Sequence, residues 1–171
     1  MLLSTFIVSC EEPTPRRPIS ASKTQVKKSS VARSKELLLL EEKIIESLIQ
    51  KDSIHHYIPT NSGSWYYYEI EDKNSDYFPK ANDFITLTYT VMTLTNDTIY
   101  SEKDIGIKTF RVDQPNLFKG LRDGFSLLKE NEKATFIFPS SLAYGYRGDG
   151  NKINPNTPIK ASLKILEINK K

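Results

Sequence analysis

The chain predicts an α+β domain: an antiparallel β-sheet curled around one short helix, preceded by an amphipathic N-terminal helix and a disordered tether. Three observations carry this. Residues 84–92 and 133–138 alternate apolar and polar side chains with the two-residue period of a half-buried strand. Between them, Leu117, Phe118 and Leu121 mark the start of one short helix. Upstream, apolar residues between Leu37 and Ile49 recur at helical spacing.

At 171 residues the chain can hold one domain with a core and appendages. In residues 1–10, Leu2, Leu3, Phe6, Ile7 and Val8 run apolar into Ile7-Val8-Ser9-Cys10. This looks like a bacterial lipobox, in which small or β-branched residues admit the segment to a signal peptidase and the thiol takes a diacylglycerol. No basic residue precedes Cys10, so the expected true start lies upstream. The competing reading is a short apolar end with a free thiol. The run is too short to cross a bilayer, and a single cysteine excludes a disulfide framework.

Residues 11–34 carry Pro13, Pro15, Pro18 and a basic group of Arg16, Arg17, Lys23, Lys27, Lys28 and Arg33, with hardly a bulky apolar side chain. Such a segment cannot offset its ordering entropy, so a flexible tether is expected. Net charge is only +3, and no nucleic-acid partner is expected. In residues 35–60, Ser34 reads as an N-cap to a helix of about 17 residues. Its apolar stripe is Leu37, Leu38, Ile44, Ile45, Leu48 and Ile49, interrupted by Glu41. That stripe covers either the domain's own sheet or a second copy of the helix in a homodimer. His55 and His56 lack companion ligands and read as polar residues at the helix end, so no metal is expected.

From residue 62 the pattern turns to strands. Trp65 to Tyr68 and Ile70 are β-favouring residues. Ile85, Leu87, Tyr89 and Val91 share one face of the next strand, with Thr86, Thr88 and Thr90 on the other. Asn96-Asp97 reads as a hairpin turn, Ile107 to Val112 as a short strand, and Leu117 to Leu128 as the helix. Lys133 to Phe138 is a strand that Pro139 ends. Tyr144 to Pro158 reads as a long loop and Ile159 to Ile168 as the closing strand. Gly120, Gly124, Gly145 and Gly148 read as turn formers.

Two blocks, Leu117-Phe118-Lys119-Gly120-Leu121-Arg122-Asp123-Gly124 and Pro139-Ser140-Ser141-Leu142-Ala143-Tyr144-Gly145, resemble those of the FKBP-type peptidyl-prolyl isomerases over residues 62–171. The resemblance implies the curled sheet expected above and a rotamase that acts on proline-containing polypeptides. Such chemistry needs no nucleophile, metal or cofactor. It needs a dry aromatic cup, and a donor aimed at the rotated carbonyl oxygen.

By resemblance, Tyr144 carries the hydroxyl that bonds the substrate carbonyl, the Phe118 backbone N–H bonds the ligand, and Tyr89 is a pocket tyrosine. These three would be catalytic. Ile99, Phe110, Leu117, Leu121 and Ile153 would line the cup. Tyr100 stands where the family has a pocket aspartate, and Ala161 where it has a phenylalanine. Leu117, Phe118, Leu121 and Tyr89 could equally be plain core.

With the lipobox, tether and helix, and with Gly106-Ile107-Lys108-Thr109-Phe110 and Ala143-Tyr144-Gly145-Tyr146-Arg147-Gly148-Asp149, most of the chain also looks like the gliding-motility-associated FKBP-type isomerase lipoproteins of Bacteroidetes. That implies an outer-membrane lipoprotein facing the periplasm, held by acylated Cys10, that helps envelope proteins fold. The alternative is a non-catalytic chaperone or complex subunit on the same fold, suggested by Tyr100 and Ala161.

Overall fold

The computed structural model describes residues 23–113 and 116–171, with side chains from Val31 onward. In chain order these are α1 (Lys23–Lys51), β1 (Ile58–Pro59), β2 (Trp65–Ile70), β3 (Phe84–Met92), β4 (Thr98–Tyr100), α2 (Glu102–Ile105), β5 (Lys108–Arg111), α3 (Lys119–Phe125), β6 (Lys133–Phe138) and β7 (Ile159–Asn169). Two 3₁₀ turns, Ser140–Leu142 and Gly145–Arg147, lie between β6 and β7. The strands form one sheet in the order β1-β2-β6-β7-β3-β4, and every pairing is antiparallel. β5 shares an edge of β3 with β4: it pairs along Phe84 to Leu87, while β4 takes the far end at Val91 and Met92.

The alternation expected of β3 is the one the sheet uses. Ile85, Leu87 and Val91 are fully buried, and Tyr89 nearly so. On the opposite face the Thr86 and Thr109 hydroxyls bond each other across β3 and β5 at 3.1 Å. In β6, Ala134, Phe136 and Phe138 turn inward, and the two phenylalanine rings stack at 5.5 Å and 4°. In β7 the pairing with β3 slips at Thr86/Leu87. The extra residue, Leu166, resets the alternation, so Ile165 and Ile168 both reach the core although three residues apart.

α3 sits unusually close to the sheet, and glycine makes that possible. A Cβ on Gly120 would lie 2.5 Å from the Phe138 ring and 2.9 Å from the Leu142 carbonyl oxygen. One on Gly124 would meet Phe136 at 3.3 Å. Both glycines lie inside the helix, so at these positions the expected role of turn former is corrected. They form a flat face that seats α3 on stacked aromatic rings. The helix itself is shorter than expected, running from Lys119 to Phe125.

The N-terminal helix is longer than expected. It begins at Lys23 rather than at a Ser34 cap, so residues 23–34 are helical and not tether. All three tether prolines precede Lys23, and nothing in Lys23 to Arg33 breaks a helix. The remaining tether and Cys10 lie outside the described residues. Ile45 is fully buried although Leu39, Leu40 and Ile44 are about half exposed. Ile137 is also fully buried and, by alternation with Phe136 and Phe138, faces the outer side of the sheet. Asp52, just past the end of α1, acts electrostatically on Lys160 of β7, on that same outer side. α1 thus packs on its own domain.

Gly120→Ala should lower stability by about 1–3 kcal/mol through overpacking, despite alanine's higher helix propensity. A urea midpoint that stays put or rises would show that α3 is not seated on Phe138 as described.

Candidate functional site

The sheet's concave face and α3 enclose one hydrophobic cluster. Tyr89, Leu121, Ile153 and Ala161 lie inside it, and Ile99, Tyr100, Phe110, Leu117, Phe118 and Tyr144 pack against it half-buried. All ten residues singled out around a cup in the sequence are therefore brought to one place, from β3, β4, β5, the entry to α3, the long loop and β7. Cys10 lies outside the described residues.

The edge of this cluster is aromatic. Phe118 packs at a tilt on Tyr144, with ring centroids 5.2 Å apart, and edge-on against Phe138 at 5.5 Å. Phe110 meets Phe125 at 5.4 Å. Phe118 is the extended residue just before α3, so its N–H lies outside the helix's own hydrogen-bond ladder. Leu121 and Ala161 are fully buried, which makes them floor rather than rim. Burial pushes the Tyr144 phenol well above its ordinary pKa, and electrostatic interaction with Tyr89, Asp149 and Tyr100 pushes it further. Burial alone raises Tyr89. Both hydroxyls are thus kept as neutral donors in an apolar setting.

The long loop is not structureless. Tyr144 stands between the two 3₁₀ turns, and Asn156 N–H returns to the Gly145 carbonyl at 2.8 Å. Gly148 has φ of +66°, and a Cβ there would fall 2.2 Å from the Ile153 carbonyl oxygen, so only glycine lets the loop fold back on itself. Asp149 organises the tip: its Oδ1 accepts from the Asn151 and Ile153 backbone N–H groups, each at 2.8 Å. Those bonds hold Ile153 inward, 3% exposed.

The sequence assigns no role to Asp149 or Lys152, and they change how Tyr100 is understood. The Tyr100 hydroxyl donates to Asp149 Oδ2. Lys152 Nζ donates to the Ile99 carbonyl at 3.1 Å and lies 5.0 Å above the Tyr100 ring. The position where the resemblance expects an aspartate therefore holds a phenol bonded to a carboxylate that comes from the opposite loop. Partial burial pushes the Asp149 carboxyl up, but the Tyr100 hydroxyl and the loop N–H groups outweigh it and hold the pKa below the ordinary carboxylate range. The only sequence clue was an Asp-Gly pair after Gly148, which reads as turn chemistry.

Elsewhere, His55 Nδ1 bonds Asp52 at 2.8 Å, and its ring stacks on Tyr67 at 4.0 Å. Among the described residues, no group of three His, Cys, Asp or Glu side chains could hold a metal ion.

Residues 75–165 match the family model of the FKBP-type peptidyl-prolyl cis-trans isomerases. A probable FKBP-type isomerase, FkpA, of Neisseria meningitidis serogroup B is 34% identical over 103 residues, 59% of this chain and 37% of that protein. FK506-binding protein 2 of Dictyostelium discoideum is 31% identical over 91 residues, 53% of this chain and 68% of that protein. The crystal structure of FkpA from Escherichia coli superposes with a TM-score of 0.62 at 21% identity, covering 88% of this chain and 70% of that one, and shows the shared fold. The chain thus spans well under half the length of the Neisseria relative.

Tyr100→Phe should loosen the loop, with faster hydrogen exchange at the Ile153 amide and lower stability at neutral pH. Asp149 is depressed, so its contribution is present above the unfolded carboxylate pKa and is lost as pH falls through the lower folded value. The gap between wild type and variant should therefore close in acid. A gap that persists in acid would show that the Tyr100–Asp149 bond is not its source.

Proposed function

The chain belongs to the FKBP-type peptidyl-prolyl cis-trans isomerase family, and from that premise we propose that its domain catalyses rotation about Xaa–Pro bonds in polypeptide clients. The observation that carries this is Tyr144, a protonated, half-buried phenol set against Phe118 at the rim of an apolar cluster.

Rotation about the prolyl amide is opposed by its resonance; an ordinary peptide bond faces about 18–20 kcal/mol. The planar amide is charge-separated, so a dry wall favours the twisted form. Phe110, Leu117, Ile99 and Ile153 supply that wall, with Leu121 and Ala161 beneath. Tyr144 Oη–H is the donor for the carbonyl oxygen as it rotates, the Phe118 N–H is a second donor, and Tyr89 backs the site with a neutral hydroxyl. No proton leaves any group and no cofactor is involved.

Clients, in this proposal, are extracytoplasmic proteins of a bacterial envelope, those of the gliding machinery among them. The chain is held to the outer membrane, facing the periplasm, through acylated Cys10. The residues Ile7-Val8-Ser9-Cys10 support that anchor. Homodimerisation through α1 is proposed on the same footing, supported by Leu40 and Ile44, half exposed on successive turns.

The test is the cis-to-trans rate of a short Xaa–Pro peptide with the full chain and with Tyr144→Phe. Loss of one donor hydrogen bond to the transition state should slow turnover about tenfold with little change in thermal midpoint. Because burial holds the Tyr144 phenol well above its ordinary value, turnover should stay level as pH rises through the ordinary tyrosine range near 10. A folded wild type without catalysis would defeat the isomerase reading, and a variant of normal rate would remove Tyr144 from its role. For the anchor, Cys10→Ala should abolish incorporation of labelled fatty acid and move the protein out of the membrane fraction. Unchanged labelling would sink the lipidation proposal.

A further inference from the structure

Glu41 of α1 is a carboxylate only 6% exposed. Its Oε2 accepts the backbone N–H of Ser140 and its Oε1 the Ser140 hydroxyl, both at 2.7 Å. Among the described residues none of the ion pairs involves it. A buried carboxylate is costly unless donors are fixed around it, and here both donors come from one residue, ninety-nine positions away in the chain.

That residue opens the 3₁₀ turn Ser140–Leu142, four positions before Tyr144. The turn's own cap position is Pro139, whose side chain has no group to accept an N–H. Glu41 supplies the missing acceptor from another element. From Ser140 onward the path is tightly bonded: Leu142 N–H returns to Pro139, and Ala143 N–H to Pro139 and Ser140. The next residue is Tyr144, itself followed at once by the second 3₁₀ turn. A cavity of 230 Å³ lies between α1 and the two turns, bordered by Leu37, Leu38, Glu41, Ser140, Ser141 and Tyr146. The paired hydrogen bonds are the firm link across it.

We propose that Glu41 is a positioning residue of the isomerase site: from a helix outside the family-matched segment, it caps the turn that leads into Tyr144 and so fixes where the Tyr144 hydroxyl stands. The inference rests on the isomerase reading for its kinetic consequence, though not for its structural one.

The test is a double-mutant cycle on the full chain, with turnover measured well below each variant's thermal midpoint. Glu41→Ala should lower kcat/KM about fivefold when Tyr144 is present. Glu41→Gln keeps one acceptor and should recover about half of that loss on a logarithmic scale. In a Tyr144→Phe background Glu41→Ala should change the rate less than about twofold, because the hydroxyl it positions is gone. An equal loss in both backgrounds would mean that Glu41 only stabilises the fold, and would overturn the proposal. No loss in a folded Glu41→Ala protein would do the same. If Glu41→Ala does not fold, Glu41→Gln carries the cycle.

A second readout separates this inference from the isomerase reading. With fluorinated tyrosine incorporated, the Tyr144 resonance, assigned by its absence in Tyr144→Phe, should shift or broaden in Glu41→Gln. A wild type that does not turn over but shows that shift would defeat the isomerase reading and leave the positioning role standing. A resonance indifferent to Glu41 would defeat the positioning role whatever the turnover.

Discussion

The seating of α3 on β6 is the contact from which the rest of the domain takes its shape. Phe136 and Phe138 stack almost parallel in β6, with Tyr66 of the neighbouring strand against Phe136 at 5.1 Å. Gly120 and Gly124 let the helix backbone descend onto those rings. Close approach at this one line sets the depth at which Leu121 and Phe125 enter the core. It also fixes where Phe118, at the head of the helix, meets Tyr144. A bulkier residue at either glycine would lift the helix and take the rim of the site with it.

The loop between β6 and β7 reaches its geometry by borrowed contacts. It has no strand partner of its own, so its shape comes from hydrogen bonds within the loop and to neighbouring elements. Glu41 fixes its start from α1, and Asn156 closes it back on Gly145. Asp149 ties its tip to β4 through Tyr100. Each bond involves a carboxylate or carbonyl meeting a backbone or hydroxyl donor, and together they hold Ile153 inward and leave Tyr144 half-buried. The proposed polypeptide site must stay open on one side, and anchoring the loop at its start and tip allows that where burial would not.

The domain was legible in the sequence where periodicity and chemistry agree. β3 and β6 announce themselves because each buries one face, and the β6 bounds follow from Pro139. The ten cup residues could be named because two local blocks carry the resemblance, and the sheet then gathers them. What escaped notice was non-local. Glu41 looks like a flaw in an apolar stripe until Ser140 is set against it. Asp149 looks like turn chemistry until Tyr100 crosses to it. The bulge at Leu166 has no signature, because both faces there carry apolar residues. The start of α1 is not legible because Lys23 to Arg33 carries only Val26, Val31 and Ala32 as apolar residues, too few for a stripe, while holding no proline or glycine that would break a helix.

The sheet's borders have a further consequence if the domain acts on polypeptide clients as proposed. One border is β1, two residues long and containing Pro59, which has no N–H to offer. The opposite border is divided between β4 and β5, three and four residues long, which take different ends of β3. Among the described residues no border strand exceeds four residues, although β1 covers only Trp65 and Tyr66 of β2, so little continuous edge is offered onto which an extended chain could add as a new strand. In the proposed function a client would engage the domain at the cup, through its side chains and the few donors there, and could be released after rotation instead of being annealed to its catalyst.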